Sequence, residues 1–186
     1  DPSNNLATSS VTVTVQNGQP GSTDPHYLDF DGVDDFGLAA DTDGLSFGSG
    51  TADTPLTLEM WLRPDAMTSR AQLLGKWGEA TNQEYRLFAI SSTLRLDLRD
   101  QSANATVSAF TNVNLASLTG SWHHVAITYD GRGGATAADG ITFYIDGVAV
   151  PVVRQNNAAY VAMENWTRPI QIGRESSSFR QYDGGL

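Results

Sequence analysis

Apolar and polar residues alternate with a period of two over most of the chain, the signature of half-buried β-strands. Leu56, Leu58, Met60 and Leu62 fall on one face, with Thr57, Glu59, Trp61 and Arg63 on the other. Leu94, Leu96 and Leu98 alternate with Arg95, Asp97 and Arg99, which predicts a strand apolar inside and charged outside. Val125, Ile127 and Tyr129 give a further strand, as do Ile141, Phe143 and Ile145, then Ile170 and Ile172; Tyr85, Leu87 and Ala89 repeat the pattern more weakly. Asp-Gly and Gly-Gly pairs lie between the runs, at 31–32, 43–44, 130–131, 133–134, 139–140 and 146–147. Asp146-Gly147 sits directly between two apolar runs and predicts a tight hairpin. No amphipathic helical period stands out. Many short strands with Gly/Asp turns predict an all-β, two-sheet antiparallel β-sandwich or jelly roll.

The first twenty residues read differently. Val11, Val13 and Val15 alternate with Thr12 and Thr14, and Gly18, Pro20, Gly21 and Pro25 follow as a linker. The expected division is 1–20 as the tail end of an upstream immunoglobulin-like (PKD- or cadherin-like) repeat plus linker, and 21–186 as the sandwich. The competing reading makes the Val/Thr run a first strand of the sandwich itself.

Composition narrows the function classes. A net charge of −10 opposes nucleic-acid binding and suits calcium and high solubility, as it equally suits a plain acidic surface. The absence of cysteine excludes disulfides, thiolate metal sites and cysteine nucleophiles. No apolar run is long enough to span a membrane. The N-terminus carries no leader pattern, so a secreted protein is expected to have its signal further upstream. Lys76 is the single lysine among eleven basic residues. Paired carboxylates on one strand face, as a glycosidase needs, are missing: Glu59 stands alone and Asp97 is flanked by arginines. A non-catalytic domain is expected.

Several segments resemble one family in the right order: HYLDFDGVDDFGLA, LTLEMWLRP, LLGKWGEATNQEYRLFAI, SWHHVAITYDG, ITFYIDGVAV and IQIGRESSSFRQYDGGL. Together they resemble the laminin-G-like and pentraxin-like domains of the concanavalin A-like fold. The resemblance implies a concanavalin A-like jelly roll, often with Ca2+, that binds glycans or extracellular proteins. After the terminal D-G, family members continue into a closing strand, so the sandwich is expected to lack its last strand. Three sources for that strand stay open: the chain's own continuation past this sequence, a cleaved tail that stays bound, or another chain; the last two make the slot a site for a complementing C-terminal strand peptide.

Two places are candidates for a metal. Asp29, Asp31, Asp34 and Asp35 crowd a tight turn, where carboxylates and carbonyls can supply the oxygens calcium wants; equally, such aspartates can bond their own backbone. The pentraxin resemblance implies a second place, at Asn82 and Glu175. For a ligand, Trp77 is expected near Glu79, Asn82, Arg174 and Glu175, where an exposed ring would stack on a sugar, or else pack at a sheet edge. Trp166 carries the same two readings. Trp61 shares a face with Glu59 and Arg63 and is a candidate to line the binding sheet, whereas Trp122 is expected to be structural. His123 and His124 are adjacent on a strand, point to opposite faces and cannot hold one ion together. The expectation is a non-catalytic, calcium-dependent glycan-binding module of a secreted or surface protein. The alternative is an adhesion module that binds a complementing strand.

Overall fold

The computed structural model describes residues 13–16, 27–66, 70–175 and 181–186. The linker residues and Val11 lie outside the described residues. Strand formation follows the alternation. In chain order the strands are β1 (Val13–Gln16), β2 (Asp29–Asp31), β3 (Phe36–Ala39), β4 (Leu56–Pro64), β5 (Ala71–Trp77), β6 (Gln83–Ile90) and β7 (Thr93–Asp100). They continue as β8 (Ala105–Thr111), β9 (His123–Tyr129), β10 (Ile141–Ile145), β11 (Val148–Val150), β12 (Val152–Gln155), β13 (Ile170–Ile172) and β14 (Asp183–Gly185). Only short 3-10 turns interrupt them among the described residues, and no helix there is long and apolar enough to cross a membrane.

Two antiparallel sheets result. One runs β1-β3-β13-β5-β6-β7-β8-β12, the other β11-β10-β9-β4-β14-β2. Their inner faces carry the alternating apolar residues. Leu87, Leu94, Leu96, Leu98 and Val107 from the first sheet meet Leu62, Val125, Ile127 and Phe143 from the second, all fully buried. Each such side chain contributes about 1.5–3 kcal/mol relative to exposure. The β10–β11 hairpin turns on Asp146 (φ 50°) and Gly147 (φ 78°), the paired positive φ of a type I′ turn, as the sequence predicts.

Two terminal features bear on function. β1 pairs with β3 at the edge of the eight-stranded sheet, Val13 opposite Ala39 and Gln16 opposite Phe36. Val13–Gln16, the described part of the Val/Thr run, is therefore hydrogen-bonded to the sandwich. At the other end, the slot expected to be empty is entered by the protein's own residues. β14 inserts between β4 and β2, with Gly185 opposite both Arg63 and Asp29. Leu186 and Leu28 then exchange two backbone hydrogen bonds of 2.9 Å. The fit demands glycine at 185, because a Cβ there would meet the Trp122 ring at 2.5 Å.

Candidate functional site

The outward residues of β4, β9 and β10 form rows across the six-stranded sheet. Thr57, Thr128 and Thr142 lie opposite one another. The next row is Glu59, Ala126 and Tyr144, and beyond it Trp61 faces His124. Inward burial of Leu58, Ile127 and Phe143 forces these residues out, because a strand's side chains alternate. Trp61 is 59% exposed, with the His124 ring set edge-on at 5.5 Å and His124 Nε2 lying 3.9 Å from Glu59. Ala126, a small residue between Glu59 and Tyr144, leaves a shallow floor beside the indole.

The platform is fixed at both ends. The backbone N–H of His124 donates to Asp146 Oδ1 at 2.9 Å, and His123 Nδ1 lies 2.7 Å from Asp146 Oδ2. The two histidines thus part, one to the hairpin turn and one to the platform. On the β14 side, the Arg63 guanidinium sits 5.2 Å from the Tyr27 ring centre and 5.5 Å from that of Trp122. Trp122 packs edge-on against Tyr27 and over Gly185 while keeping part of its ring at the surface. At the opposite end, the threonine row opens into a cleft of about 450 Å³ lined also by Asp130, Arg132 and Asp139. Arg132 bonds Asp130 through Nε and Nη2, and this holds the Asp130 carboxyl below the usual carboxylate range.

The residues expected around Trp77 lie on the other sheet and are built differently. Trp77 is buried, 5% exposed, beneath the Arg86 guanidinium at 3.8 Å. It offers no face to a sugar, which corrects the stacking expectation. Glu175 is drawn to Arg86 at 2.8 Å and Arg70 at 3.5 Å, so a cation there would have to displace two guanidinium groups. Arg174 stacks on Phe36 at 3.1 Å, and burial pushes its guanidinium pKa down. Asn82 takes a left-handed turn conformation (φ 58°) next to Gln83, and Glu79 is exposed beside it. Trp166 is half-buried. Its N–H donates to Glu84 Oε1, and its carbonyl accepts from Lys76 Nζ at 2.8 Å.

The aspartate cluster does converge in part. Oxygens of Asp31, Asp34 and Asp35 lie within 4.8 Å of one another, while Asp29 turns to Arg63 at 3.3 Å. Asp31 Oδ1 accepts the N–H groups of Val33 and Asp34, and Asp35 Oδ2 accepts that of Asp31. The aspartates thus bond their own backbone, and three of their carboxylates gather in doing so. Nearby Asp183 has its pKa raised by burial and by the charges of Asp65, Asp31 and Asp29. A hard cation would relieve that repulsion, and the all-oxygen donor set fits one.

Sequence reading does not single out Tyr144, the threonine row or the Asp130–Arg132–Asp139 cleft, and it treats His124 only as pointing away from His123. Their outward phase was readable from Ile127, Phe143 and Ile145. The pairing of β4 with β9 that brings them together was not.

Comparison with curated proteins finds no match. Among solved structures, the fold is similar to the binding domain of Paraclostridial Mosquitocidal Protein 1, at TM-score 0.66 and 12% identity, over 94% of this chain and 43% of that one. It is similar to the receptor binding domain of botulinum neurotoxin mosaic serotype C/D, at 0.62 and 13%, over 94% and 41%. It is also similar to mouse laminin alpha1 domains LG4-5, at 0.51 and 16%, over 84% and 38%. The chain spans less than half of each of these structures, and at such identities the likeness concerns the fold alone. A family model, Laminin_G_3, described as the concanavalin A-like lectin/glucanases superfamily, matches residues 39–186. With two antiparallel sheets in place and four fifths of the sequence matched, the chain belongs to this laminin-G family of the concanavalin A-like superfamily.

Proposed function

We propose that this domain is a non-catalytic glycan-binding module of a secreted or surface protein, and that it binds on the outer face of the six-stranded sheet. The observation that carries this reading is Trp61. A 59%-exposed indole at the centre of an ordered sheet presents a broad apolar face that a ligand can cover. An indole face suits the apolar C–H side of a pyranose, and Glu59, His124 and the threonine row supply hydrogen-bonding groups around it. The kinship agrees: several solved structures of similar fold are binding domains of toxins, and cell entry of one of these toxins, botulinum neurotoxin type C, is dependent upon interaction with two ganglioside molecules. Within the three rows Glu59 is the single acid, and the acids at the two ends are engaged, Asp146 by His123 and the backbone N–H of His124, Asp130 by Arg132 and Asp139 by Asn156, an arrangement unlike the opposed pair of free carboxylates that acid hydrolysis of a glycoside requires.

Calcium is assigned to Asp31, Asp34 and Asp35, some distance along the sheet from Trp61, where it would brace the β2–β3 turn.

The test is a glycan array probed with the protein and with Trp61→Ala. The module should retain a defined set of glycans and the variant should lose them with its melting temperature unchanged, because an exposed ring contributes little to stability. Equal retention by both proteins refutes the platform, and no retention by either refutes glycan binding.

A further inference from the structure

The row next to Trp61 has an uneven profile. Glu59 of β4, Ala126 of β9 and Tyr144 of β10 lie side by side across the outer face. Neighbouring strands stand about 4.8 Å apart, so Glu59 and Tyr144 rise from strands about 10 Å apart with only a methyl group between them. Trp61 and His124 stand at one end of this slot, and Thr57 and Thr128 at the other. The slot thus has a carboxylate on one side, a phenol ring on the other and an exposed indole at its head.

Glu59 is the charged group here, and its charge is not neutralised by an arginine or lysine among the described residues. Its side chain is 68% exposed, and the basic group near it is His124 Nε2 at 3.9 Å. The two arginines of the face are already engaged, Arg63 with Asp29 at 3.3 Å and Arg132 with Asp130 at 2.6 Å. Exposed Asp139 lines the cleft and exposed Asp146 holds the hairpin turn, so both ends of the face carry further negative charge. An anionic ligand laid along this face would meet like charge throughout. A cation in the slot would meet a carboxylate and aromatic rings together.

We propose that the ligand of the platform is an amino-sugar chain, a glycan whose pyranose rings carry protonated amines. One ring lays its apolar face on Trp61, and an ammonium sits over Ala126 between Glu59 and Tyr144. This rests on the glycan-binding reading and names its ligand class. The two chemistries are separate: the indole covers C–H surface whatever the sugar's charge, whereas Glu59 and Tyr144 select the ammonium. Successive rows lie about 7 Å apart, so the face spans about 14 Å from Trp61 to Thr57 and follows a chain of several sugars. Glycans bearing carboxylate or sulfate groups place their charge against Glu59 and are disfavoured.

The probes are three forms of one fluorescently labelled, β-linked glucosamine tetramer: the free amine, the N-acetylated and the N-sulfated chain. They are titrated by fluorescence anisotropy at about pH 6, where the amines are largely protonated, and at about 0.15 M salt, which screens diffuse attraction to the acidic chain. The free amine should bind about fivefold or more tightly than the N-acetylated form, and the N-sulfated form weakest. Glu59→Gln should bring the first two together. Glu79→Gln, the same charge change in the β5–β6 turn of the other sheet, should leave the preference intact. Equal binding of the amine and acetyl forms, or tighter binding of the sulfated one, overturns the ligand class, and loss of that binding in Trp61→Ala then shows that the platform itself stands. An amine preference that survives Glu59→Gln overturns the slot. Absence of saturable binding by all three forms overturns the amino-sugar assignment, and the glycan reading falls with it only if the array also retains nothing.

Discussion

At the scale of single residues, the bias toward arginine has a structural cause. On the outer face of the eight-stranded sheet, Arg70, Arg86 and Arg95 all lie over the ring of Phe88. Arg86 and Arg95 grip the buried Asp97 at 2.8 and 2.6 Å, and Arg86 also covers Trp77. A planar guanidinium can stack and bond in its plane at once, which an ammonium cannot. The single lysine does a different job. Lys76 is fully buried, and its Nζ reaches Asp41 at 2.7 Å, Glu84 at 2.9 Å, Ser46 at 2.6 Å and the carbonyl of Trp166 at 2.8 Å. Burial pushes the Glu84 carboxyl up, against the opposing pull of Lys76 and the Trp166 N–H. A compact point charge with rotatable donors fits this cage, and a guanidinium fork would not. Lys76→Met should leave buried carboxylate charge unpaired and destabilise the fold by about 3–5 kcal/mol. Urea denaturation measures this, and a loss below about 1 kcal/mol would show that the cage contributes little.

At the scale of elements, the strands were legible because each is half-buried and obeys a strict period of two. β4, β7, β9 and β10 lie where Leu56–Leu62, Leu94–Leu98, Val125–Tyr129 and Ile141–Ile145 placed them. The site was less legible, for a physical reason. A period of two says which residues share a face but not which strands are neighbours. Trp61 was therefore seen as outward while its partners His124, Ala126 and Tyr144, dozens of residues away, were not. Trp77 failed from the same blindness: a bulge at Lys76/Trp77 and the overlying Arg86 bury a ring that sequence spacing leaves undecided. The β2–β3 turn gives a prediction at this scale. With three carboxylates gathered and Asp183 held up in pKa by burial and then by neighbouring charge, millimolar Ca2+ should raise the melting temperature. Asp34→Asn should abolish that rise. Asp34 is the cleaner substitution because Asp35 is buried and its carboxylate accepts a backbone N–H. A scan with Ca2+ and with chelator checks this, and identical melting curves for the parent protein would rule out the assignment.

At the scale of the whole molecule, the two sheets divide the labour. The eight-stranded sheet covers its outer face with arginine, aromatic and carboxylate side chains stacked on and paired with one another, and it buries Trp77, Asp97 and Glu175 in doing so. The six-stranded sheet leaves its outer face open, with Trp61 prominent, Trp122 beside it and the 450 Å³ cleft at the far end. This asymmetry is why the proposed glycan site lies on the six-stranded sheet. The most direct test is to map backbone amide shifts while titrating a glycan retained on the array. Perturbed amides should cluster at residues 57–63, 124–128 and 142–146. Perturbations centred instead on Trp77, Arg86 and Arg174 would contradict the account, because the ligand would then be held by the sheet described here as closed.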